Sequence, residues 1–181
     1  MTSPSLGTLT WQPAADRVDL LAAPVAAMVD AGAVGLYVSE IDPSLADTAA
    51  FCAAYGISPD ASANCVVVAG RRAETTTMAA CLVLASDRAD VNKTVRKHLD
   101  VRKISFAAME DAVARTGMEY GGITPVGLPA DWPILVDTAV IRRPWLVIGS
   151  GLRRSKIAVS GDALAQLHGV TVLDLAITPA L

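Results

Sequence analysis

Two neighbouring segments in the middle of the chain are apolar on both faces of a predicted strand. The first covers residues 64–69 and contains Cys65-Val66-Val67-Val68, and the second covers residues 75–85 beyond the turn Gly70-Arg71-Arg72. A strand without a polar face must be covered on both sides by other elements. We therefore expect this strand pair to lie at the centre of the fold, beneath flanking helices.

Other helices and strands alternate irregularly around this pair. Helical spacing and capping residues predict helices over residues 16–30, kinked or started at Pro24, and over 44–55, 90–98, 106–115 (capped by Ser105) and 162–167. Shorter strands are predicted over 35–41, 134–137, 145–148, 157–159 and 170–173. This order favours an α/β fold with a mixed, mostly antiparallel central sheet over a regular parallel sheet. We predict one domain over residues 1–181, with residues 1–10 loosely ordered.

The composition is that of a folded protein. Hydrophobic residues make up 52% and charged residues 18% of the chain, which excludes disorder for the chain as a whole. The longest apolar run, residues 20–38, is interrupted by Pro24 and Asp30 and is too broken to span a membrane. No basic residue precedes the first apolar stretch, which argues against a secretory signal. We expect a cytoplasmic protein without a membrane segment.

Cysteine and histidine are too few and too scattered to indicate a metal site or a catalytic triad. Cys52, Cys65 and Cys81 lie in apolar surroundings and are predicted to be buried free thiols. His98 and His168 are far apart and show no metal-ligand spacing. Neither histidine has a serine or cysteine partner that the sequence places near it, so nucleophilic catalysis by a side chain is disfavoured.

The net charge of −3 conceals an uneven distribution. Residues 1–70 contain one basic and seven acidic residues. Between Asp137 and Asp162 the charged residues are all basic: Arg142, Arg143, Arg153, Arg154 and Lys156. A basic patch on an acidic protein can steer a phosphate-bearing partner to one face, although a solvated surface explains the same charges.

Two glycine-containing segments are candidates for ligand recognition. In Gly121-Gly122-Ile123-Thr124-Pro125 the paired glycines let a ligand approach the backbone, and the proline stiffens the loop. A structural turn is the alternative. Gly149-Ser150-Gly151 offers backbone amides for an anion, with cations following directly, but it lacks the spacing of a P-loop.

These motifs occur together in an order that resembles the YbaK/EbsC family, which includes the editing domain associated with prolyl-tRNA synthetase. The motifs that carry the resemblance are Thr116-Gly117, the loop over residues 121–127, Ile134-Leu135-Val136-Asp137, and Gly149-Ser150-Gly151 with its basic residues. A basic helix over residues 91–101 and the pair Asp42-Pro43 after an early strand add to it. The resemblance covers roughly residues 35–173.

The resemblance implies a mixed α/β fold and hydrolysis of the ester that joins a wrong amino acid to the 3′ end of a tRNA. It implies an aminoacyl pocket and tRNA contacts formed by Gly121, Gly122, Ile123, Thr124, Pro125, Asp137, Gly149, Ser150 and Gly151, with Arg153, Arg154 and Lys156 at the phosphates. The implied partner is the acceptor end of an aminoacyl-tRNA. No metal or organic cofactor is implied.

One position departs from the family pattern. The family's functional lysine begins the buried strand after the second helix, where this chain has Asn64. An asparagine donates hydrogen bonds but carries no charge, and charge-assisted hydrogen bonds are about twice as strong as neutral ones. Losing one such donor from a transition state costs on the order of 10²-fold in rate. The sequence leaves open whether Arg153 or Lys156 reaches this place instead.

Three functions remain open at this stage. The leading hypothesis is a freestanding aminoacyl-tRNA deacylase acting in trans, a hydrolase in which Asn64 and the Gly121-Gly122 backbone orient the attacking water. The second is a binding module for the tRNA end or a nucleotide that has lost its chemistry with the lysine. The third is a nucleotide or small-molecule enzyme that seats a phosphate on the Gly-Ser-Gly turn. The edited amino acid, the tRNA and the oligomeric state, a homodimer included, stay open.

Overall fold

Two main β-sheets and their connecting helices form the fold in the computed structural model, which describes residues 3–33 and 35–177. The strands are β1 Gln12–Pro13, β2 Tyr37–Glu40, β3 Ala63–Arg72, β4 Thr75–Leu84, β5 Arg88–Ala89, β6 Lys103–Phe106, β7 Ile134–Asp137, β8 Leu146–Gly149, β9 Ser155–Val159, β10 Val170–Leu173 and β11 Ala176–Ile177. The helices are α1 Ala23–Asp30, α2 Thr48–Tyr55, α3 Arg96–His98, α4 Met109–Thr116, α5 Thr138–Ile141 and α6 Gly161–Ala165. The predicted mixed α/β fold is confirmed.

The strands are divided between sheets. The first sheet has the order β1-β2-β9-β8, and all its neighbouring strands are antiparallel. The second has the order β10-β7-β4-β3-β6, in which β10, β7 and β4 run parallel while β3 pairs antiparallel with both β4 and β6. A small antiparallel pair joins β11 to β5. The sequence predicted a single central sheet because an alternation of strands does not reveal which strands pair.

The predicted central strand pair is the hairpin of β3 and β4, which are paired from Ala63–Leu84 to Arg72–Thr75. Every residue of β4 from Met78 onward is buried, as predicted for a strand covered on both faces. β3 departs from that prediction over residues 64–66, which are only half-buried. The reason is that the start of β3 forms one wall of an open cleft.

Three of the four apolar clusters among the described residues cover most of the faces of the two main sheets. The largest lies between the sheets and joins Leu82 and Val136 of the second sheet to Ile148 and Ile157 of the first. The others cover the outer face of each sheet and include Trp11, Phe51 and Ala158 on the first and Val68, Val95 and Leu135 on the second. The two sheets meet where Ser62 forms a parallel bridge with Val147, directly before β3.

The helix predicted over residues 106–115 is wrong at its start. Lys103–Phe106 forms β6, which pairs with β3 from Val68 to Arg71, and α4 begins only at Met109. Ser105 therefore lies in a strand and does not cap a helix. The edge of β3 needs a hydrogen-bonding partner, and this long-range requirement overrides the local capping signal.

Three other helices are shorter than predicted. Two 3-10 turns occupy most of residues 14–20, and α1 begins at Ala23 with Pro24 in its first turn, which is one of the two roles expected for that proline. Residues 43–45 form a separate 3-10 helix capped by Asp42, so α2 begins at Thr48. Residues 91–95 form a π-helix, which leaves only Arg96–His98 as α3. Within the described ranges, no helix is long and apolar enough to cross a membrane.

Candidate functional site

A cleft of about 420 Å³ opens beside the point where the two sheets meet. Its walls come from the segment that leads into α2, the start of β3, the end of β6, the double-glycine loop, the end of β8 and one residue of β9. The lining residues that matter below are Thr48, Asn64, Phe106, Gly121, Gly149 and Lys156. Three stretches predicted from the sequence, namely the start of β3, the double-glycine loop and the Gly-Ser-Gly turn with its basic residues, thus contribute to one hollow.

Asn64 stands at the start of β3, half-buried in the cleft wall. Its Oδ1 accepts a hydrogen bond of 2.6 Å from Thr48 Oγ1 at the beginning of α2. This contact orients the side-chain amide group, because the accepting oxygen is held and the NH₂ group must point the other way. In the described part of the chain, that NH₂ group donates no hydrogen bond and stays available to a ligand.

The double-glycine loop packs directly on the backbone of the Gly-Ser-Gly turn. The Gly122 carbonyl accepts the Gly151 N–H at 2.7 Å. A Cβ atom at Gly122 would lie 2.8 Å from the Leu152 carbonyl group, and one at Gly149 would lie 2.3 Å from the Gly122 oxygen. Gly121 is exposed, lines the cleft and has a φ of +84°, a value that favours glycine. Gly122 and Gly149 therefore allow the backbones of the two turns to pack closely, and Gly121 forms part of the cleft surface.

The other predicted residues of this loop lie behind the cleft. Thr124 and Pro125 are buried and Ile123 is half-buried, and of these three only Ile123 lines the cleft. Thr124 Oγ1 is a buried hydroxyl without a hydrogen-bond partner among the described residues. Thr124 and Pro125 thus support the loop from the protein side.

The Gly-Ser-Gly turn does not present a row of free amides to an anion. Successive N–H groups of the turn donate within the protein: Gly151 to Gly122 O, Leu152 to Ser150 Oγ, and Arg153 to Glu119 Oε2. Ser150 is fully buried, and its Oγ lies 2.7 Å from Ser155 Oγ. Gly149 is the residue of this turn that lines the cleft. The sequence missed this arrangement because it does not show which turns pack together.

The three basic residues predicted to contact tRNA phosphates, Arg153, Arg154 and Lys156, lie in three different places. Arg153 lies at the cleft rim, where its guanidinium group contacts Asp47 Oδ1 at 3.3 Å, the Tyr120 carbonyl at 3.4 Å and the Pro43 carbonyl at 3.2 Å. It thereby ties the segment before α2 to the double-glycine loop. Arg154 points elsewhere and donates to the Asp19 carbonyl.

Lys156 enters the cleft from β9, which answers for this residue the question that the sequence left open. Its side chain is 7% exposed, and Nζ donates a hydrogen bond of 2.9 Å to the Ala46 carbonyl. The ammonium group also lies 5.1 Å from the centre of the Phe51 ring, close enough for a cation–π contact. Burial lowers the pKa of Lys156 to about 8; Arg153 lowers this pKa further by a smaller amount, whereas Cys52 and Asp47 raise it. The sequence feature that could have predicted this burial is the position of Lys156 within the strand pattern Ser155–Val159.

Asp137 lies outside the cleft lining. It is buried at the end of β7, and its carboxylate accepts N–H groups from Ala139, Leu175 and Ala176, each at 2.8 Å. Asp137 thus caps α5 and fastens the chain after β10. These contacts account for a buried carboxylate at this position without a ligand.

The cleft offers no side-chain nucleophile paired with a base. Cys65 lines it, but burial raises the pKa of this thiol well above its ordinary value, so the reactive thiolate is scarce. His98 and His168 are not among the lining residues. Over residues 3–33 and 35–177, no group of three or more His, Cys, Asp or Glu side chains could hold a metal ion.

Comparison with solved structures establishes the fold. A candidate trans-editing enzyme for prolyl-tRNA synthetase matches with a TM-score of 0.72 and 23% identity, over 93% of this chain and 99% of that chain. The hypothetical protein APE2540 matches with a TM-score of 0.75 and 19% identity, over 85% of this chain and 99% of that chain. Both proteins share this architecture along nearly their whole length.

Comparison with protein families agrees with the motifs. The family model of the aminoacyl-tRNA editing domain matches residues 42–167, more than two-thirds of the chain. The matched region contains Asn64, the double-glycine loop, the Gly-Ser-Gly turn and Lys156. This chain belongs to the aminoacyl-tRNA editing domain family.

Proposed function

We propose that this protein hydrolyses the ester bond between an amino acid and the terminal ribose of a mischarged tRNA, acting in trans. One observation carries the proposal. In a chain of the editing-domain family, Asn64, Gly121, Gly149 and Lys156 line a single cleft. The cleft volume of about 420 Å³ falls within the ~300–1,000 Å³ typical of small-ligand sites.

The chemistry available in the cleft suits attack by water. The NH₂ group of Asn64 and the N–H of Gly121 donate to no acceptor within the described chain, so both are free to orient a water molecule or the ester carbonyl. The water oxygen bonds to the carbonyl carbon, the bond to the ribose oxygen breaks, and a proton of the water passes to that oxygen. The neighbouring ribose hydroxyl of the substrate is placed to assist this transfer. No covalent enzyme intermediate is needed.

The rim of the cleft suits the end of a nucleic acid. Phe106 and Tyr120 both line the cleft and remain 66% and 60% exposed. Unpaired bases stack on exposed aromatic rings. Since the ester is attached to the terminal adenosine, we infer that one of these rings stacks on its base. Arg153, at the same rim, adds a positive charge for the adjoining phosphate.

A panel of mischarged tRNAs tests the proposal. Each tRNA is incubated with the protein, and release of the free amino acid is followed against the spontaneous rate. We expect at least one mischarged tRNA to be deacylated well above background, and its correctly charged counterpart to be spared. The absence of any rate above background across the panel would refute the enzyme reading.

The same panel separates the deacylase from a binding module. The replacement of the family lysine by Asn64 is the observation that favours a module without chemistry. Such a module would bind an aminoacyl-adenosine analogue tightly and release no amino acid. If Asn64→Lys then produced turnover, the natural chain would be a deacylase that has lost its activity.

A further inference from the structure

The Lys156 ammonium group is a buried charge. Among the residues that the structure describes, no carboxylate forms an ion pair with it; the Asp47 carboxylate pairs instead with Arg153. Fully buried lysines are rare in proteins unless they are paired, because removing an ammonium from water is costly. Methionine would occupy similar space at this position without that cost. A buried lysine without an ion pair at the wall of a cleft is therefore a candidate for a functional charge.

The contacts of Lys156 leave part of its hydrogen-bonding capacity unused. An ammonium group has three N–H donors, and the protein supplies one acceptor, the Ala46 carbonyl. The Phe51 ring contacts one side of the ammonium group, and this cation–π contact favours the charged form. At least one donor is therefore free for an oxygen atom in the cleft.

A short segment holds Lys156 and Asn64 at the same cleft. Ala46 accepts the hydrogen bond from Lys156 Nζ, and Thr48, two residues later, donates to Asn64 Oδ1. The two side chains come from different sheets, Lys156 from β9 and Asn64 from β3. The segment over residues 46–48 at the start of α2 thus holds a cationic donor and a neutral donor at one cleft. An oxygen that develops negative charge between them would be stabilised by both.

We propose that Lys156 is a catalytic residue, whose ammonium group donates a hydrogen bond to the carbonyl oxygen of the aminoacyl ester and stabilises the negative charge formed when water attacks. The inference rests on the proposed deacylase function. Lys156 supplies from β9 the positive charge that Asn64 cannot supply from β3. It remains protonated through the reaction, while the proton lost by water passes to the ribose oxygen.

Three variants test this role on the intact protein. Lys156→Met removes the charge and keeps an unbranched side chain that is one atom shorter. Lys97→Met, at an exposed lysine of α3 outside the cleft, is the matched control. The double variant Lys156→Met with Asn64→Lys returns an ammonium group to the cleft from the other strand.

We expect Lys156→Met to lower kcat by about 10²-fold, the typical effect of removing one donor from a developing oxyanion, with little change in KM. Lys97→Met should retain the wild-type rate. The double variant should recover at least 10-fold over Lys156→Met. A lysine with only a structural role would instead lower the melting temperature, and Asn64→Lys would not restore turnover.

The pH profile gives a second readout. The groups that face Lys156 are Cys52, Asp47 and Arg153, and burial dominates over all three in bringing its pKa to about 8. Above that pH the ammonium loses its proton, so the background-subtracted kcat of the wild type should fall as the pH rises through about 8. This fall should be absent from the residual activity of Lys156→Met.

The outcomes separate the two proposals. Wild-type deacylation together with undiminished kcat in folded Lys156→Met would overturn the role of Lys156 and leave the deacylase function intact. A wild-type kcat that rises through pH 8 would also overturn it, because the neutral amine would then be the active form. A wild type that is inactive on every mischarged tRNA would overturn both.

Discussion

At the scale of single residues, Lys156 should reduce the stability of the fold in a pH-dependent manner. Its pKa is about 8 in the folded chain against an ordinary value of 10.5, so the unfolded state binds the proton more tightly. The resulting penalty on folding is complete below pH 8 and fades as the pH rises from 8 to 10.5. This penalty on the free energy of folding is at most roughly 3 kcal/mol, since each pKa unit corresponds to about 1.36 kcal/mol.

We therefore expect Lys156→Met to unfold at higher denaturant concentration than the wild type at pH 7, and the difference to shrink by pH 10. Chemical denaturation of both proteins at the two pH values measures it. An equal difference in unfolding free energy at both pH values would show that the ammonium is not desolvated in the folded state.

Gly122 should be intolerant of even one added carbon. A Cβ atom there would lie 2.8 Å from backbone atoms of Leu152, which cannot move without shifting the Gly-Ser-Gly turn. We expect Gly122→Ala to cost about 1–3 kcal/mol of stability, as for other overpacked positions, and to lower deacylation by displacing Gly121. Thermal unfolding and the deacylation rate are the measurements, and wild-type values for both would contradict the close packing.

The sequence predicted several residues that line the cleft, but it did not predict which of their groups are free to bind a ligand. Gly121 and Gly149 were singled out because their glycine motifs are visible in a sequence. Asn64 was singled out because the family resemblance places it where the family has a functional lysine. The direction of Lys156 was not visible, since a basic stretch shows charge and not which side chain points inward. The hydrogen bonds that occupy the turn amides, such as Gly151 N–H to Gly122 O, depend on the packing of two distant turns.

At the scale of elements, the carboxylate of Asp137 joins β7, α5 and the chain after β10. Asp137→Ala would leave the N–H groups of Ala139, Leu175 and Ala176 without their acceptor. We expect a loss of about 2–3 kcal/mol in unfolding free energy, since hydrogen bonds to charged groups are worth about 1.5–3 kcal/mol. The folded fraction should keep the wild-type KM for tRNA. A raised KM with normal stability would instead support the substrate contact predicted from the sequence.

The end of β6 and the double-glycine loop each place an aromatic ring at the rim of the cleft. Because Phe106 and Tyr120 are mostly exposed, their replacement by alanine should leave stability within about 0.5 kcal/mol of the wild type. Base stacking contributes about 1–3 kcal/mol per base, so we expect at least one of the two variants to lose about 10-fold in kcat/KM. Val172→Ala, at an exposed apolar residue of β10 outside the cleft, is the matched control. Unchanged kcat/KM in both rim variants would exclude a stacking role.

The same region shows why element boundaries escaped the sequence. Ser105 followed by an amphipathic stretch is typical of a capped helix, yet residues 103–106 form a strand on the edge of β3. Sequence patterns report local preference, whereas the pairing of β6 satisfies backbone groups of a strand that lies 35 residues earlier at Val68–Arg71. Where the partner is adjacent in sequence, as for β3 and β4, the prediction is confirmed.

At the scale of the whole molecule, the cleft lies beside the place where the two sheets meet. The β-bridge between Ser62 and Val147 connects the two sheets, and the large apolar cluster fills the space between them. The sequence predicted the mixed α/β class and the family because both follow from the order of motifs along the chain. It could not predict the division into two sheets, whose meeting brings Lys156 of β9 and Asn64 of β3 to one cleft.

A substitution that fills the cleft but leaves its polar groups unchanged tests whether the ester is hydrolysed there. Ala107 lines the cleft at the end of β6 and is half-buried, so Ala107→Trp would fill part of the hollow from its rim. Val172→Trp adds the same ring at an exposed position outside the cleft. The measurement is the single-turnover rate of deacylation on the best mischarged tRNA, with all proteins folded. We predict a loss of at least about 10²-fold for Ala107→Trp and none for Val172→Trp. Equal rates in the two variants would contradict hydrolysis in this cleft.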